Sequence, residues 1–164
     1  MSTSFPFRTA TIADAEAITN LINLAFQVER FLVDHDRITV EEVRGRFETG
    51  TFLVAPNGNS LAGCVYVEPK GDSAYVGLLS VAPERQRSGL GTLLMSAAED
   101  FSREKGCQVV DLLTVNVRKE LPVFYERLGY VECGTAPFPE EAEPKVPCHF
   151  VKMSKLLTQP RSDD

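Results

Sequence analysis

The 164-residue sequence has no long apolar run, and its first ten residues lack the apolar core of a signal peptide. A helix that crosses a bilayer needs about 18 or more consecutive apolar residues, and a secretion signal needs a shorter apolar run near the start of the chain. We therefore expect a soluble, cytoplasmic protein that does not contact a membrane.

Positive charge is also scarce, since 17 lysines and arginines stand against 23 aspartates and glutamates and give a net charge of -6. Affinity for nucleic acids comes mainly from clustered cationic side chains, so this balance argues against a nucleic-acid partner. A cationic or amine-bearing partner suits it somewhat better.

The four cysteines show no Cys-x-x-Cys spacing. The pattern fits neither a zinc site nor a redox dithiol, and we expect reduced thiols. Cys148 and His149 are adjacent, but neighbouring residues of a strand point to opposite faces and cannot share a ligand. No metal site is predicted.

Length and composition predict one domain. A chain of 164 residues with 43% hydrophobic content is within the usual range for a single core. We expect this domain over residues 1–157 and a flexible tail over residues 158–164.

Apolar spacing and capping residues predict a short first strand followed by alternating helices and strands. The predicted helices run from Thr11 to about Gln27, from Thr39 to about Glu48, from Leu90 to Gly106 and from Pro122 to Gly129. The predicted strands are TFLVA, SLAGCVYVE, Tyr75 to Val81, VVDLLTV, GYVECG and HFVKMSKLL. Between the last two, TAPFPEEAEPKVP holds four prolines and three glutamates, which predicts a long surface loop.

Residues 81–94, VAPERQRSGLGTLL, put a glycine-containing turn between a strand and the longest predicted helix. A helix N-terminus presents unpaired N–H groups and a positive dipole end, which attract phosphate. Gly89 and Gly91 have no Cβ to block a ligand, and Arg87 adds a positive charge. The alternative is a basic helix start with a glycine needed for packing.

The stretch fits neither the dinucleotide fingerprint, whose third glycine would fall at Leu94, nor the P-loop, which needs a lysine after Gly91. It does resemble the acyl-CoA motif of the Gcn5-related N-acetyltransferase (GNAT) family, Gln/Arg-x-x-Gly-x-Gly/Ala, read here as QRSGLG. LLSVAP before the motif and FYERLGY at residues 124–130 agree with the same family, and the resemblance covers about residues 8–156.

The resemblance implies an α/β (mixed α+β) fold: a mixed, largely antiparallel sheet of six or seven strands, flanked by about four helices, with strands 4 and 5 splayed. A bulge is expected near Leu79 and Ser80. Acetyl-CoA is the implied acyl donor, held by its pyrophosphate on the glycine turn and by its pantetheine arm on the fourth strand. The implied cofactor-binding residues are Leu79, Ser80, Val81, Gln86, Arg87, Ser88, Gly89, Leu90, Gly91, Thr92 and Asn116, with Val81 the expected N–H donor to the thioester carbonyl.

The resemblance also implies the chemistry of the leaving group. Attack by an amine on a thioester releases a thiolate that needs a proton, and a phenol with a reference pKa near 10 carries one at neutral pH. Tyr125 matches the family position of this acid; the alternative is an aromatic residue needed only for packing.

The acceptor side carries less information. The fourth strand has Tyr75, Val76 and Gly77 where some relatives have a glutamate. Glu29, in the loop after the first helix, is the candidate to bind or deprotonate the amine. Asp34, Asp36 and His35 are further candidates from the same loop.

The family asparagine seven residues before the tyrosine is Arg118 here. Asn116 lies nine residues before Tyr125, so a loop longer by two residues could bring it to the same place. We keep Asn116 as a candidate cofactor contact.

These features predict an acetyl-CoA-dependent N-acetyltransferase that acts on a primary amine, favouring a small molecule, by direct attack in a ternary complex. The alternatives are a protein or peptide acetyltransferase acting on an N-terminus or lysine, and a catalytically idle acyl-CoA sensor. Either a monomer or a homodimer is expected.

Overall fold

The computed structural model describes residues 7–157, and within them a seven-stranded mixed sheet forms the centre of the fold. The strands are β1 (Arg8–Thr9), β2 (Thr51–Asn57), β3 (Ser60–Lys70), β4 (Ser73–Val81), β5 (Val109–Val115), β6 (Val131–Pro137) and β7 (His149–Leu156). Their order is β1-β2-β3-β4-β5-β7-β6, and only β4 and β5 pair in parallel. The predicted sheet is confirmed. The predicted tail at 158–164 lies outside the described residues.

Four α-helices cover the sheet in this part of the chain: α1 (Ala15–Ala25), α2 (Val40–Arg46), α3 (Leu90–Glu104) and α4 (Glu120–Arg127). The buried apolar residues of α1 and α2 form one core with β2, β3 and one face of β4. Those of α3 and α4 form the other core on the opposite face. None of the helices within residues 7–157 combines the length and apolarity that crossing a bilayer requires.

Two predicted boundaries are corrected. The fourth helix begins at Glu120, so Pro122 lies in its first turn and not at its start; proline is tolerated there because first-turn N–H groups have no intrahelical acceptor. The first helix ends at Ala25, and a 3-10 turn, Phe26–Glu29, continues to the acceptor-loop candidate Glu29.

The proline-rich segment is shorter as a loop than predicted. Residues 131–137 pair with β7, so β6 includes the TAP at the start of that segment. Proline is accepted at Pro137 because β6 is the edge strand of the sheet and its outer side needs no donor.

Candidate functional site

The parallel strands β4 and β5 separate shortly after they begin. They pair over three positions only, from Ser73 with Val109 to Tyr75 with Asp111, although both strands continue for several residues. The far ends of the two strands therefore carry unpaired edges that face each other across an opening, and the predicted splay is confirmed. We call this space the β4–β5 opening.

A bulge turns β4 at the mouth of this opening. β3 pairs Cys64 with Ser80 and Tyr66 with Gly77, so one residue of β3 stands opposite two of β4, Leu78 and Leu79. Leu78 has a φ of 55°, a left-handed conformation that is unfavourable for a leucine. The bulge thus lies one residue earlier than predicted, and such strain is concentrated at functional sites.

Beyond the bulge, the main chain of β4 presents hydrogen-bonding groups to the opening. Ala82 N donates to Ala62 O on β3 over 2.8 Å. Because an antiparallel strand alternates its N–H and C=O groups between its two edges, those of Leu79 and Val81 point away from β3. Ser80 has its main chain toward β3, and its buried hydroxyl donates to Leu78 O over 3.1 Å. The predicted donor Val81 therefore faces the opening and Ser80 does not.

The loop between β4 and α3 is held in an open, unusual conformation. Arg87 has a φ of 65° and Gly89, the residue that caps α3, a φ of 85°. Gln86 donates through Nε2 to Val81 O over 3.2 Å, and the Ser88 hydroxyl donates to Arg85 O. The side chains of Gln86 and Ser88 thus shape the loop, while that of Arg87 is exposed.

The first N–H groups of α3 lie beside the opening without acceptors in the helix. The first intrahelical bond runs from Leu93 N to Gly89 O over 3.1 Å, so the N–H groups of Leu90, Gly91 and Thr92 precede it. The Leu90 side chain is buried in the core and the Thr92 side chain is exposed. Of these three residues, Leu90 therefore has only its N–H to offer a ligand.

Gly91 is not required by packing. A Cβ built at Gly91 would lie 3.6 Å from Phe124 Cζ of α4 and 3.9 Å from Val81 Cγ2 of β4, both ordinary contact distances. An alanine there would favour the helix by up to about 1 kcal/mol. The core would therefore accept a side chain at residue 91, which speaks against the packing alternative for Gly91.

Tyr125 is buried between α4 and the sheet, with 9% of its surface exposed. Its ring makes edge-on contacts with Phe124 and Tyr130, at centroid distances of 4.9 and 5.9 Å. Burial raises the pKa of its phenol above the usual range, and the nearby Tyr75 adds to the rise. The phenol therefore keeps its proton at neutral pH. No described residue hydrogen-bonds to its hydroxyl, which leaves the hydroxyl available to a ligand.

On β4, the space that a side chain at residue 77 would take is already filled by a neighbouring side chain. A Cβ at Gly77 would lie 2.5 Å from the Tyr75 hydroxyl oxygen, so the phenol of Tyr75 fills the space of a side chain at residue 77. A carboxylate at Gly77 is excluded unless that phenol moves. Tyr75 also interacts electrostatically with Tyr125, and the sequence pattern gave no signal for this beyond the place of Tyr75 on the strand.

Glu29 and Arg118 meet although 89 residues separate them. Arg118 Nη1 donates to Glu29 Oε2 over 2.9 Å, and its other nitrogens bind Glu120. Burial would lower the pKa of the Arg118 guanidinium, but the bonds to Glu120 and Glu29 outweigh it and raise that pKa. Arg118 also interacts electrostatically with Tyr125, which brings the acceptor loop and the proposed acid to one place.

Asn116 extends the pairing of β5 with β7. Its Oδ1 accepts from His149 N over 2.8 Å, and its own N–H donates to His149 O over 2.9 Å. Only the Nδ2 group is left for a ligand. Arg118, which occupies the family spacing seven residues before Tyr125, interacts electrostatically with that tyrosine.

The remaining acceptor-loop candidates are engaged elsewhere. The carboxylates of Asp34 and Asp36 are exposed and pair with Lys145 and Arg30. Both ring nitrogens of His35 face carbonyl oxygens, Asp36 O at 2.9 Å and Ala142 O at 3.1 Å. These two contacts raise the His35 pKa, which favours an imidazolium and makes His35 a poor base.

Comparison of the sequence with known proteins identifies its family. A model of the acetyltransferase (GNAT) domain matches residues 48–132, more than half of the chain. Streptothricin acetyltransferase of Streptomyces lavendulae is 38% identical over 56 residues, which are 34% of this chain and 30% of that protein. The chain spans less than half the length of the curated relatives it matches.

Two solved structures show the same fold over nearly the whole chain. The ribosomal-protein-S18-alanine N-acetyltransferase of Escherichia coli superposes with a TM-score of 0.73 at 15% identity, covering 96% of each chain. The yncA protein of Salmonella typhimurium, solved with its cofactor acetyl-CoA, superposes with a TM-score of 0.72 at 18% identity, covering 99% of each chain. With its matching domain model, its β4–β5 opening and the glycine turn before α3, this chain belongs to the GNAT acetyltransferase family.

Proposed function

We propose that this protein transfers an acetyl group from acetyl-CoA to a primary amine, favouring an amine of a small molecule. The observation that carries the proposal is the β4–β5 opening, which has free N–H groups of α3 at one end and the unpaired Tyr125 hydroxyl beside it.

The residues fit acetyl-CoA as cosubstrate. The N–H groups of Leu90, Gly91 and Thr92 and the positive end of α3 suit a pyrophosphate, and Arg87 adds its charge from the loop. The edge of Leu79 and Val81 can pair with the amides of an extended pantetheine arm as a further strand would. The N–H of Val81 then points toward the thioester carbonyl, whose developing negative charge it would stabilise.

The transfer needs two proton movements. The amine nitrogen forms a bond to the thioester carbon, the carbon–sulfur bond breaks, and the acetylated nitrogen gives up one proton while the thiolate gains one. Tyr125 is the proposed donor to the thiolate, because burial keeps its phenol protonated. Its proton is restored from solvent after the products leave.

Glu29 is the proposed binding group for the acceptor amine. Arg118 uses its Oε2, and within residues 7–157 the Oε1 has no partner, so that oxygen can accept an N–H from the substrate. The acetylated nitrogen must also lose a proton, and Glu29 remains the candidate for that step. The net charge of -6 suits a cationic acceptor without distinguishing a polyamine from a lysine, and the similarity to streptothricin acetyltransferase supports a small molecule.

An acceptor panel with detection of free thiol tests this function. Polyamines, aminoglycoside-like and streptothricin-like amines, free lysine and peptides with free N-termini are each supplied with acetyl-CoA. Thiol release that depends on a small amine supports the proposal. Release with peptides alone would make the protein a peptide acetyltransferase, and binding of acetyl-CoA with no amine-dependent release would make it a sensor.

A further inference from the structure

Thr114, near the end of β5, carries a buried hydroxyl with nothing to bond. Within residues 7–157, its Oγ1 is the one side-chain nitrogen or oxygen that is itself closed off from solvent and lacks a hydrogen-bond partner, and the residue is 3% exposed. Leaving such a group unpaired costs roughly 1–3 kcal/mol, and unpaired buried groups are few in native proteins. Other buried hydroxyls of this chain are satisfied, among them Thr19, which donates to Ala15 O over 2.7 Å.

The register of the sheet places Thr114 on the wall of the β4–β5 opening. Asp111 is the last residue of β5 that pairs with β4, and Thr114 comes three residues later. Val110 and Leu112 belong to the core under α3 and α4. Because alternate residues of a strand share a face, the Thr114 side chain points to that same side, where Tyr125 is also buried.

Counting residues along both strands from their last pair also places Thr114 opposite the bulge of β4. Tyr75 pairs with Asp111, so three further residues along each parallel strand reach Leu78, the residue with a φ of 55°. A strained main chain on one strand and an unpaired hydroxyl on the other thus face the same stretch of the opening. The two features arise independently, and both suit a ligand that lies between them.

We propose that the Thr114 hydroxyl donates a hydrogen bond to a carbonyl oxygen of acetyl-CoA at the inner end of the β4–β5 opening. The hydroxyl has one proton to donate, and the thioester and amide carbonyls are the principal acceptors that the pantetheine arm and its acyl group offer. The inference rests on the proposed acetyl-CoA site and adds a binding residue on β5 opposite the main-chain groups of β4.

Calorimetric titration of three variants tests the assignment. Thr114→Val removes the hydroxyl and keeps the shape, Thr114→Ser keeps the hydroxyl, and Thr19→Val removes a satisfied buried hydroxyl outside the opening. We expect Thr114→Val to raise the Kd for acetyl-CoA about tenfold, which is about 1.4 kcal/mol, with a melting temperature at or above that of the wild type. Thr114→Ser should bind within about threefold of the wild type. Thr19→Val should melt earlier and bind normally.

Titration with CoA as well as acetyl-CoA identifies the carbonyl. A loss limited to acetyl-CoA assigns the thioester oxygen, and an equal loss with both ligands assigns a pantetheine amide; either supports the proposal. A folded Thr114→Val protein with wild-type Kd for both ligands overturns it, as does a Thr114→Ser protein as weak as Thr114→Val. Wild-type protein that binds neither ligand refutes the proposed function itself, and this inference with it.

Discussion

Replacement of Tyr125 by phenylalanine separates catalysis from packing. The substitution removes one oxygen and keeps the ring that contacts Phe124 and Tyr130 at 4.9 and 5.9 Å. Each such contact is worth about 0.5–1.5 kcal/mol and is retained. Since the hydroxyl bonds to no described residue, we expect the free energy of unfolding to change by less than about 1 kcal/mol, while kcat falls about 10²-fold.

Tyr130 provides the matched control, because its hydroxyl has the opposite role. It donates to Glu99 Oε2 over 2.8 Å, in a buried network where Lys155 holds the other oxygen of Glu99 at 2.9 Å. Tyr130→Phe should therefore cost roughly 1.5–3 kcal/mol of stability, the range for a bond to a charged group, and leave kcat near the wild-type value. Urea unfolding and steady-state kinetics of both variants measure the contrast.

The pH dependence adds a check on the state of Tyr125. Its pKa is raised by burial, so the phenol keeps its proton at pH values where an exposed tyrosine ionises. Activity should then rise with pH as more neutral amine becomes available, with no decline below about pH 10. Wild-type kcat in Tyr125→Phe, or equal loss of kcat in both variants, would show that Tyr125 acts only in packing.

Two substitutions and one titration test the acceptor side. Gly77→Ala should displace the Tyr75 phenol, whose oxygen lies 2.5 Å from the new Cβ. We expect kcat/KM for the amine to fall at least fivefold, which corresponds to about 1 kcal/mol. Unchanged kinetics would place Tyr75 outside the acceptor site. Glu29→Gln should raise the KM for the amine about tenfold through the lost binding group and lower kcat as well if Glu29 removes the proton; an unaltered KM would exclude Glu29 as the amine ligand, and an unaltered kcat would exclude it as the base. NMR titration of His35 should give a midpoint above pH 6.5, because its two carbonyl contacts favour the imidazolium. The stabilisation from these contacts is fully present below pH 6.5 and is lost as the pH rises through the raised pKa of His35. A midpoint at or below pH 6.5 would contradict the two contacts.

The sequence predicted the elements that depend on local pattern. β5 runs from Val109 to Val115 as its apolar run indicated, and α3 begins after Gly89, where the glycine and the following apolar stripe place a helix start. The bulge of β4 was displaced by one residue, because its position depends on the register with β3 and not on the residues of β4 alone.

The acceptor side depends on contacts between distant segments, which no local pattern encodes. The pairing of Glu29 with Arg118 joins the loop after α1 to the loop after β5. Arg118 stood in the sequence only as a departure from the family asparagine, and its role as the partner of Glu29 appears only in the fold. Thr114 likewise gives no signal in the sequence, since a threonine in a strand is ordinary until its hydroxyl is found without a partner.

Binding of acetyl-CoA to Gly89→Asp tests the central claim, that the start of α3 receives the cosubstrate. A Cβ at Gly89 meets nothing within 4 Å, so an aspartate there causes no clash and adds a negative charge where the pyrophosphate should lie. Gly106→Asp, just beyond the other end of α3, is the control, because Gly106 has a φ of 86° against 85° for Gly89 and a Cβ there also meets nothing within 4 Å. The two substitutions therefore impose the same left-handed strain. Calorimetry should show acetyl-CoA binding at least tenfold weaker, about 1.4 kcal/mol, in Gly89→Asp and unchanged in Gly106→Asp. Equal, wild-type affinity in both variants would contradict the claim.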